Sequence, residues 1–355
     1  MFEPLVQNGA TSRGALMAAE IAEQPAAWAR LLREGRAAID AVAREVRRYT
    51  PRFVLFVARG TSDHAALYAK YLAEIQLGLS AGLASPSTMT AYGARPDLSD
   101  VLMIGISQSG GSPDLVHSMR VGRAQGALTV AVTNNPDSAL DEAAELAIPV
   151  LAGPEHSVAA TKSYTAQLLT VFLLLEAIDG RRTDAVHQLP EWGAEVLALQ
   201  PAVAEAATRY RYTQRMVLTG RGYAYPTARE AALKLMETCY LSAHAFSGAD
   251  LLHGPFAMID PQVPVLTVAP DGVAGTALRP VHDQLARTGA DVLTVGSRAH
   301  IASATVGLAL PEGIPEALSP IVEILPFQHL ALHLALLRGT DPDHPRGLRK
   351  ITETT

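Results

Sequence analysis

The sequence predicts an α/β fold in two similar halves, each a parallel sheet with helices on both faces. Three observations carry this. Short apolar runs alternate with helical segments, which is the pattern of βαβ units. The runs are almost continuously apolar, as strands buried on both faces must be. The order of elements then restarts after about 160 residues, which marks a duplicated α/β unit.

Taken along the chain, residues 13–49 read as an Ala-rich, amphipathic helical segment. "RFVLFVARG" (52–60) is a strand and "TSDHAALYAKYLAEI" (61–75) the helix after it. "DVLMIGIS" (100–107) is a strand followed by the helix "SPDLVHSMRVGRAQG", with Ser109 or Ser112 as its N-cap. "ALTVAVT" (127–133) and "AELAIPV" (144–150) are further strands, and "TKSYTAQLLTVFLLLEAI" (161–178) a long helix. A helical stretch over 183–210 links the halves. Then "RMVLTGRG" (215–222) repeats the first strand, "PVLTVAPDG" (264–272) the second and "ADVLTVGS" (290–297) the third.

The 355 residues carry a formal net charge of −6, so no basic field awaits nucleic acid or an acidic membrane. The single cysteine, Cys239, excludes an intrachain disulfide and a Cys-rich metal site and fits a reducing compartment. The N-terminus lacks the order of a signal peptide. Apolar stretches such as "QLLTVFLLLEAI" are too short for a bilayer core of about 30 Å. A soluble, cytoplasmic protein is expected.

Two strand ends could carry chemistry. "GISQSGGSPDLV" (105–116) sets Ser107, Gln108, Ser109 and Ser112 around two glycines at a helix start. "ARGTSDH" sets Thr61 and Ser62 behind Gly60. Hydroxyls, an amide and free backbone N–H groups converging at helix N-termini suit one phosphate, although a polar turn with an ordinary cap would look the same. There is no G-x-x-x-x-G-K-[ST] loop and no G-x-G-x-x-G, so a phosphate monoester fits better than a nucleotide. The Ser-rich turn occurs in the first half only.

In the second half, Glu230, Lys234 and Glu237 share one helical face. Alone, that face reads equally as solvated ion pairs. His253, between "LL" and "GP", reads as a structural histidine or, with Glu237, as a proton-transfer pair. No cluster has metal-ligand spacing, so neither a metal nor another cofactor is expected. Pro342 and Pro345 make the C-terminus a turn-rich tail that could close as a lid, with Lys350 delivering an amine.

The fragments "RGTS", "ISQSGGSPD", "AGPEHSVAATKSYTAQL", "GRGYAYPTAREAALKLMET", "LLHGP" and "GTDPDHPRGL" occur in that order. Together they resemble the SIS (sugar isomerase) domain family over nearly the whole chain. The resemblance is to the isomerase part of glucosamine-6-phosphate synthase and to stand-alone aminosugar-phosphate deaminases. It implies a helical segment at 1–49, a sugar-phosphate-binding subdomain at 50–200, a second subdomain at 201–338 and a tail or lid at 339–355. Each subdomain would be a flavodoxin-like three-layer αβα unit. It implies a phosphate cradle of Ser62, Ser107, Ser109 and Ser112, with Thr61 and Gln108 beside them and the Val158 backbone on the sugar. It implies Glu237 as the proton shuttle, His253 as the ring opener, Lys350 as the Schiff-base lysine of the synthase and Lys234 as a further site lysine. A homodimer follows, because the matching histidine reaches a neighbouring site.

The chain begins at the equivalent of the linker after a glutaminase domain, so no glutaminase chemistry is expected. Ala160 stands where the synthase commonly has a sugar-contacting serine. The reaction implied is glucosamine 6-phosphate plus water giving fructose 6-phosphate and ammonia. The rivals are an isomerase or deglycase on another sugar phosphate and a non-catalytic sugar-phosphate-binding regulator.

Overall fold

The computed structural model describes residues 12–350. Its strands are β1 (Phe53–Val57), β2 (Ala81–Leu83), β3 (Val101–Ser107), β4 (Leu128–Thr133), β5 (Leu146–Pro149), β6 (Arg215–Gly220), β7 (Ser242–Ser247), β8 (Val265–Ala269), β9 (Val292–Gly296) and β10 (Val306–Ala309). The first sheet runs β2-β1-β3-β4-β5 and the second, read in the same sense, β7-β6-β8-β9-β10. All neighbours are parallel. The halves therefore share one topology, and the expected duplication is present. In each half the first strand lies between the second and third, so the chain leaves it in both directions. The crevice at that reversal is where ligands of open parallel sheets bind.

The expected strands and helices are present, with ends shifted by a residue or a few. Three strands escaped the sequence reading. β2 is three residues long, β7 ("SAHAFS") is polar, and β10 ("VGLA") is short. All are edge strands, which need no apolar run on both faces.

The amino-terminal helices Ala15–Ala22, Gln24–Glu34 and Arg36–Tyr49 pack onto the first half. Trp28 is wholly buried there and donates Nε1–H to Thr165 Oγ1 at 3.0 Å. Thr165 belongs to Lys162–Asp179, almost all of which is buried. The expectation that no apolar stretch could span a bilayer is corrected by Ser319–Leu337. This 19-residue helical run has mean hydropathy 1.4, but 83% of it is buried inside the fold. It reads as a core element that contacts helices of both halves.

That run carries Glu323, which is wholly buried. Its Oε1 accepts from Thr227 Oγ1 at 2.7 Å, and its Oε2 has no partner among the described residues. Burial pushes this carboxyl from the ordinary 4.5 to about 7, with the Thr227 hydrogen bond working the other way. The folded chain thus keeps the proton to higher pH than the unfolded chain. The stability so gained is full below about 4.5 and is lost as the pH rises to about 7. Glu323→Gln should abolish that loss, so the variant gains on wild type as pH rises through this window. Denaturant midpoints on both sides of the window check it; parallel curves for the two proteins would contradict it.

Candidate active site

The crevice of the first half lies at the carboxyl ends of β1 and β3. Gly60, after β1, has φ 56° and opens the helix Thr61–Gln76. Gly110, after β3, has φ 66°, and a Cβ there would lie 2.1 Å from Ser138 Oγ. Both positions need glycine, because other residues are strained at positive φ. Ser107 Oγ accepts from Gly110 N–H at 3.0 Å and Ser109 Oγ from Gly111 N–H at 3.2 Å. Asn135 ties the loop down by donating to Ser109 O at 3.3 Å. Ser112 occupies the N-cap position of Pro113–Ala124 but makes no side-chain capping bond. Ser112 lines the crevice instead.

The cavity measures about 310 Å³ and is lined by Arg59, Gly60, Thr61, Ser62, Ser107, Gln108, Ser109, Ser112, Val158, Ala160, Ser163 and Lys350. All seven expected binding residues thus converge, and Lys350 joins them. Of the two cations that line the cavity, Arg59 is held by Asp114, its Nε donating to Oδ2 at 2.7 Å, and Lys350 donates to Ser157 O. A phosphate here would meet mainly hydroxyls and N–H groups.

A second set of residues lies behind Thr61. The helix Ala224–Cys239 packs against Thr61–Gln76, and the face carrying Glu230, Lys234 and Glu237 turns inward. Glu230 and Lys234 are wholly buried, so the solvated-face reading fails for them. Lys234 Nζ donates to Thr61 Oγ1 at 3.0 Å and to Glu237 Oε2 at 2.5 Å. Thr61 in turn donates to Glu230 Oε1 at 3.1 Å. Burial alone would push the Lys234 ammonium down, but Glu230 and Glu237 outweigh it and hold it above its ordinary value. Neither Lys234 nor Glu237 lines the cavity itself; Thr61 connects them to it.

His253 is exposed, directly after the short helix Gly248–Leu252, and lies outside the crevice of its own chain. The tail arrives at the crevice as expected, and Lys350 donates to Ser157 O, with Glu155 Oε2 3.6 Å away.

Sequence reasoning missed Glu155, Glu20 and His64. Glu155 accepts from Thr161 N–H at 2.9 Å and Ser163 N–H at 3.0 Å, and so satisfies the start of Lys162–Asp179. Glu20 accepts from Ser157 N–H at 3.3 Å and from His156 N–H, which fixes the loop that carries Val158. Burial raises the Glu20 carboxyl, against those backbone bonds. Of these, only Glu155 left a local signal, a carboxylate shortly before the start of Lys162–Asp179.

The second half has a larger crevice of about 520 Å³ at its own reversal, lined among others by Tyr71, Arg221, Tyr223 and Glu316. Its size does not make it the equivalent site. The Glu316 carboxylate already accepts from Val273 N–H at 3.1 Å and Ala274 N–H at 2.6 Å, where the loop after β8 starts a helix. That half supplies its own anion.

The family model for the SIS domain matches twice, over residues 49–177 and 210–338. The chain belongs to the SIS domain family. It is 34% identical over 346 residues to glutamine–fructose-6-phosphate aminotransferase (isomerizing) of Thermococcus kodakarensis, covering 94% of this chain and 57% of that protein. The chain thus spans little more than half the length of that relative. Among solved structures it is similar to a candidate phosphosugar isomerase from Silicibacter pomeroyi DSS-3, at 36% identity and a TM-score of 0.82, covering 92% of this chain and 99% of that one. It is also similar to the C-terminal domain of glucosamine-fructose-6-phosphate aminotransferase from Francisella tularensis, at 26% identity and a TM-score of 0.85, covering 93% and 98%. A glucosamine-6-phosphate deaminase from Thermotoga maritima shares the fold at 23% identity and a TM-score of 0.76, covering 96% and 100%.

If hydroxyls hold the phosphate, Ser109→Ala should weaken sugar-phosphate binding by the worth of one hydrogen bond to a charged group, about 1.5–3 kcal/mol. Calorimetric titration with fructose 6-phosphate checks this. Unchanged affinity would place the phosphate elsewhere.

Proposed function

We propose that this chain is an aminosugar-phosphate isomerase of the deaminating kind, converting glucosamine 6-phosphate and water to fructose 6-phosphate and ammonia. One observation supports this most. A carboxylate–ammonium pair, Glu237 and Lys234, is wired through Thr61 to a hydroxyl-lined crevice of sugar-phosphate size. A phosphate alone needs only the crevice. Proton transfer between sugar carbons needs a base beside it.

In this reading the phosphate sits among Ser62, Ser107, Ser109 and Ser112, with Thr61 and Gln108 beside it and the Val158 backbone on the sugar. His253 assists ring opening. Glu237 removes the proton from C2 as O1 gains one, giving an enolamine. The same carboxylate returns a proton to C1 as the nitrogen loses one, leaving an imine at C2. Water adds to C2, ammonia departs, and the ketose remains. The Lys234 ammonium stabilises the negative charge that develops when the carbon acid is deprotonated. Lys350, already at the crevice, stands where an amine could engage the open-chain carbonyl.

Ala160 puts a methyl group on the crevice wall. This supports keeping other aminosugar phosphates, and fructosamine-type phosphate adducts, as competing substrates. Ammonia release across such a panel discriminates them. A regulator that only binds sugar phosphate would have no use for a wholly buried Lys234 ammonium paired with Glu237, since burying charge is costly.

Because His253 is exposed and outside its own chain's crevice, the proposed working unit is a homodimer in which it serves the other copy. Light scattering at assay concentration should show a dimer; an active monomer would contradict this.

Glu237→Gln keeps the shape and the hydrogen-bonding reach but removes the base. The variant should fold and bind glucosamine 6-phosphate almost normally, with kcat lower by about 10²–10⁴-fold. Solvent deuterium should stop entering C1 of the product. A variant within about threefold of wild type, well short of a general base's contribution, would remove Glu237 from this role.

A further inference from the structure

His64 lies three residues after Thr61, one turn along the same helix and on the same face. It is buried, 6% exposed, and its Nδ1 lies 2.7 Å from Glu230 Oε2. An ionised carboxylate can only accept, so Nδ1 carries the hydrogen. Glu230 is therefore divided. Its Oε2 is taken by His64 and its Oε1 by the Thr61 hydroxyl, with Lys234 Nζ 3.4 Å from that same Oε1.

Lys234 thus has two carboxylates within reach and leans to one. It is 3.4 Å from Glu230 but 2.5 Å from Glu237. Electrostatics alone would favour the opposite choice. Glu230 is wholly buried, while the Glu237 side chain is 21% exposed, so attraction to Glu230 is the less screened. Both Glu230 oxygens already accept from a neighbouring donor, Oε1 from Thr61 and Oε2 from His64.

We propose that His64 is a positioning residue that decides where the Lys234 ammonium sits. By occupying Glu230 Oε2 it leaves Lys234 free to bridge Thr61 and Glu237. Without it, Oε2 is a buried carboxylate oxygen lacking a donor, which is costly, and Lys234 is the cation already beside Glu230 to meet it. The ammonium then closes on both Glu230 oxygens and leaves Glu237. The inference rests on the roles given above to Lys234 and Glu237 in turnover. The placement of the ammonium does not depend on them.

The test uses the full chain in three forms: wild type, His64→Ala and His64→Asn. Asparagine can present an N–H close to the place of Nδ1, so it separates the hydrogen bond from the imidazole. Crystal structures of the three with inorganic phosphate bound should show Lys234 Nζ swung from Glu237 to Glu230 in His64→Ala and returned in His64→Asn. With glucosamine 6-phosphate, His64→Ala should lose about 10²-fold in kcat, the cost of a displacement of roughly 1 Å. Phosphate affinity, measured by calorimetry, should stay the same, and His64→Asn should recover most of the rate. An unmoved Lys234, or equal losses in the two variants, would overturn the proposal. So would phosphate binding that falls in step with kcat, since that marks a general loss of structure. If His64→Ala does not fold, the ¹⁵N spectrum of wild-type His64 decides. Hydrogen on Nδ1 supports the proposal, and a bare Nδ1 sinks it. A wild type that turns over no aminosugar phosphate would remove the proposed function and leave the position of Lys234 as the deciding observation here.

Discussion

The arrangement depends on a buried ion cluster where the halves meet. Glu230 and Lys234 sit between Thr61–Gln76 of the first half and Ala224–Cys239 of the second, with Thr61 hydrogen-bonded to both. Removing one partner of such a cluster leaves an unpaired buried charge, worth about 3–5 kcal/mol. Apolar residues of similar size could join two helices at no greater cost. What they could not do is tie the position of a second-half carboxylate, Glu237, to the first-half crevice through Lys234 and Thr61. The cluster does that because Thr61 belongs at once to the crevice wall and to the ion network. Sliding the halves against each other would break it before the strands of either sheet were disturbed.

A second constraint comes from the chain ends. Asp343 accepts from Leu16 N–H at 3.0 Å and Met17 N–H at 2.8 Å, and Asp341 from Gly14 N–H at 3.3 Å. The tail thereby supplies the first turn of Ala15–Ala22 with acceptors that its own residues lack, since that helix has no side-chain cap. Arg346 lies over the Tyr240 ring at 4.5 Å, and its backbone N–H donates to the Tyr240 hydroxyl at 2.7 Å. Glu20, on the capped helix, holds the loop bearing Ser157, and Ser157 O accepts from Lys350. The first helix, the loop carrying Ser157 and Val158 and the tail lysine therefore form one closed circuit of polar contacts. The tail is thus held to the first helix at Asp341 and Asp343 and reaches the crevice at Lys350.

Much of this was legible in the sequence, for identifiable reasons. The central strands announce themselves because strands covered on both faces must be apolar throughout. The convergence of Thr61, Ser62 and Ser107–Ser112 on one crevice was readable because Gly60, Gly110 and their serines are adjacent in sequence, and the topology sets the two loops side by side. Glu230 and Lys234 were placed on one helical face, but whether that face met water or a neighbour could not be read from one helix. Glu155 acts on Thr161 and Ser163 close by, whereas His64 and Glu20 were invisible because each acts through a partner remote in sequence, Glu230 for His64 and Ser157 for Glu20. Local pattern carries no information about such pairs. The edge strands β2, β7 and β10 failed for the opposite reason, having too little apolar pattern to detect.

The two halves differ where duplicated units are free to differ. After β3, the serine hydroxyls line the crevice, and two of them accept from Gly110 N–H and Gly111 N–H. After β8, the corresponding N–H groups are closed by Glu316. A carboxylate from the chain itself is always present at its site, whereas a sugar phosphate must lose translational freedom to bind. An internal anion therefore wins at any ordinary ligand concentration, and the second half is committed to structure. That commitment lets Ala224–Cys239 of the second half present its charged face to the first. The charged side chains of that helix reach the first-half crevice through Thr61, which accepts from Lys234 and itself lines the cavity. One cradle stays open and the other is filled, and the filled half lends its helix to the open one.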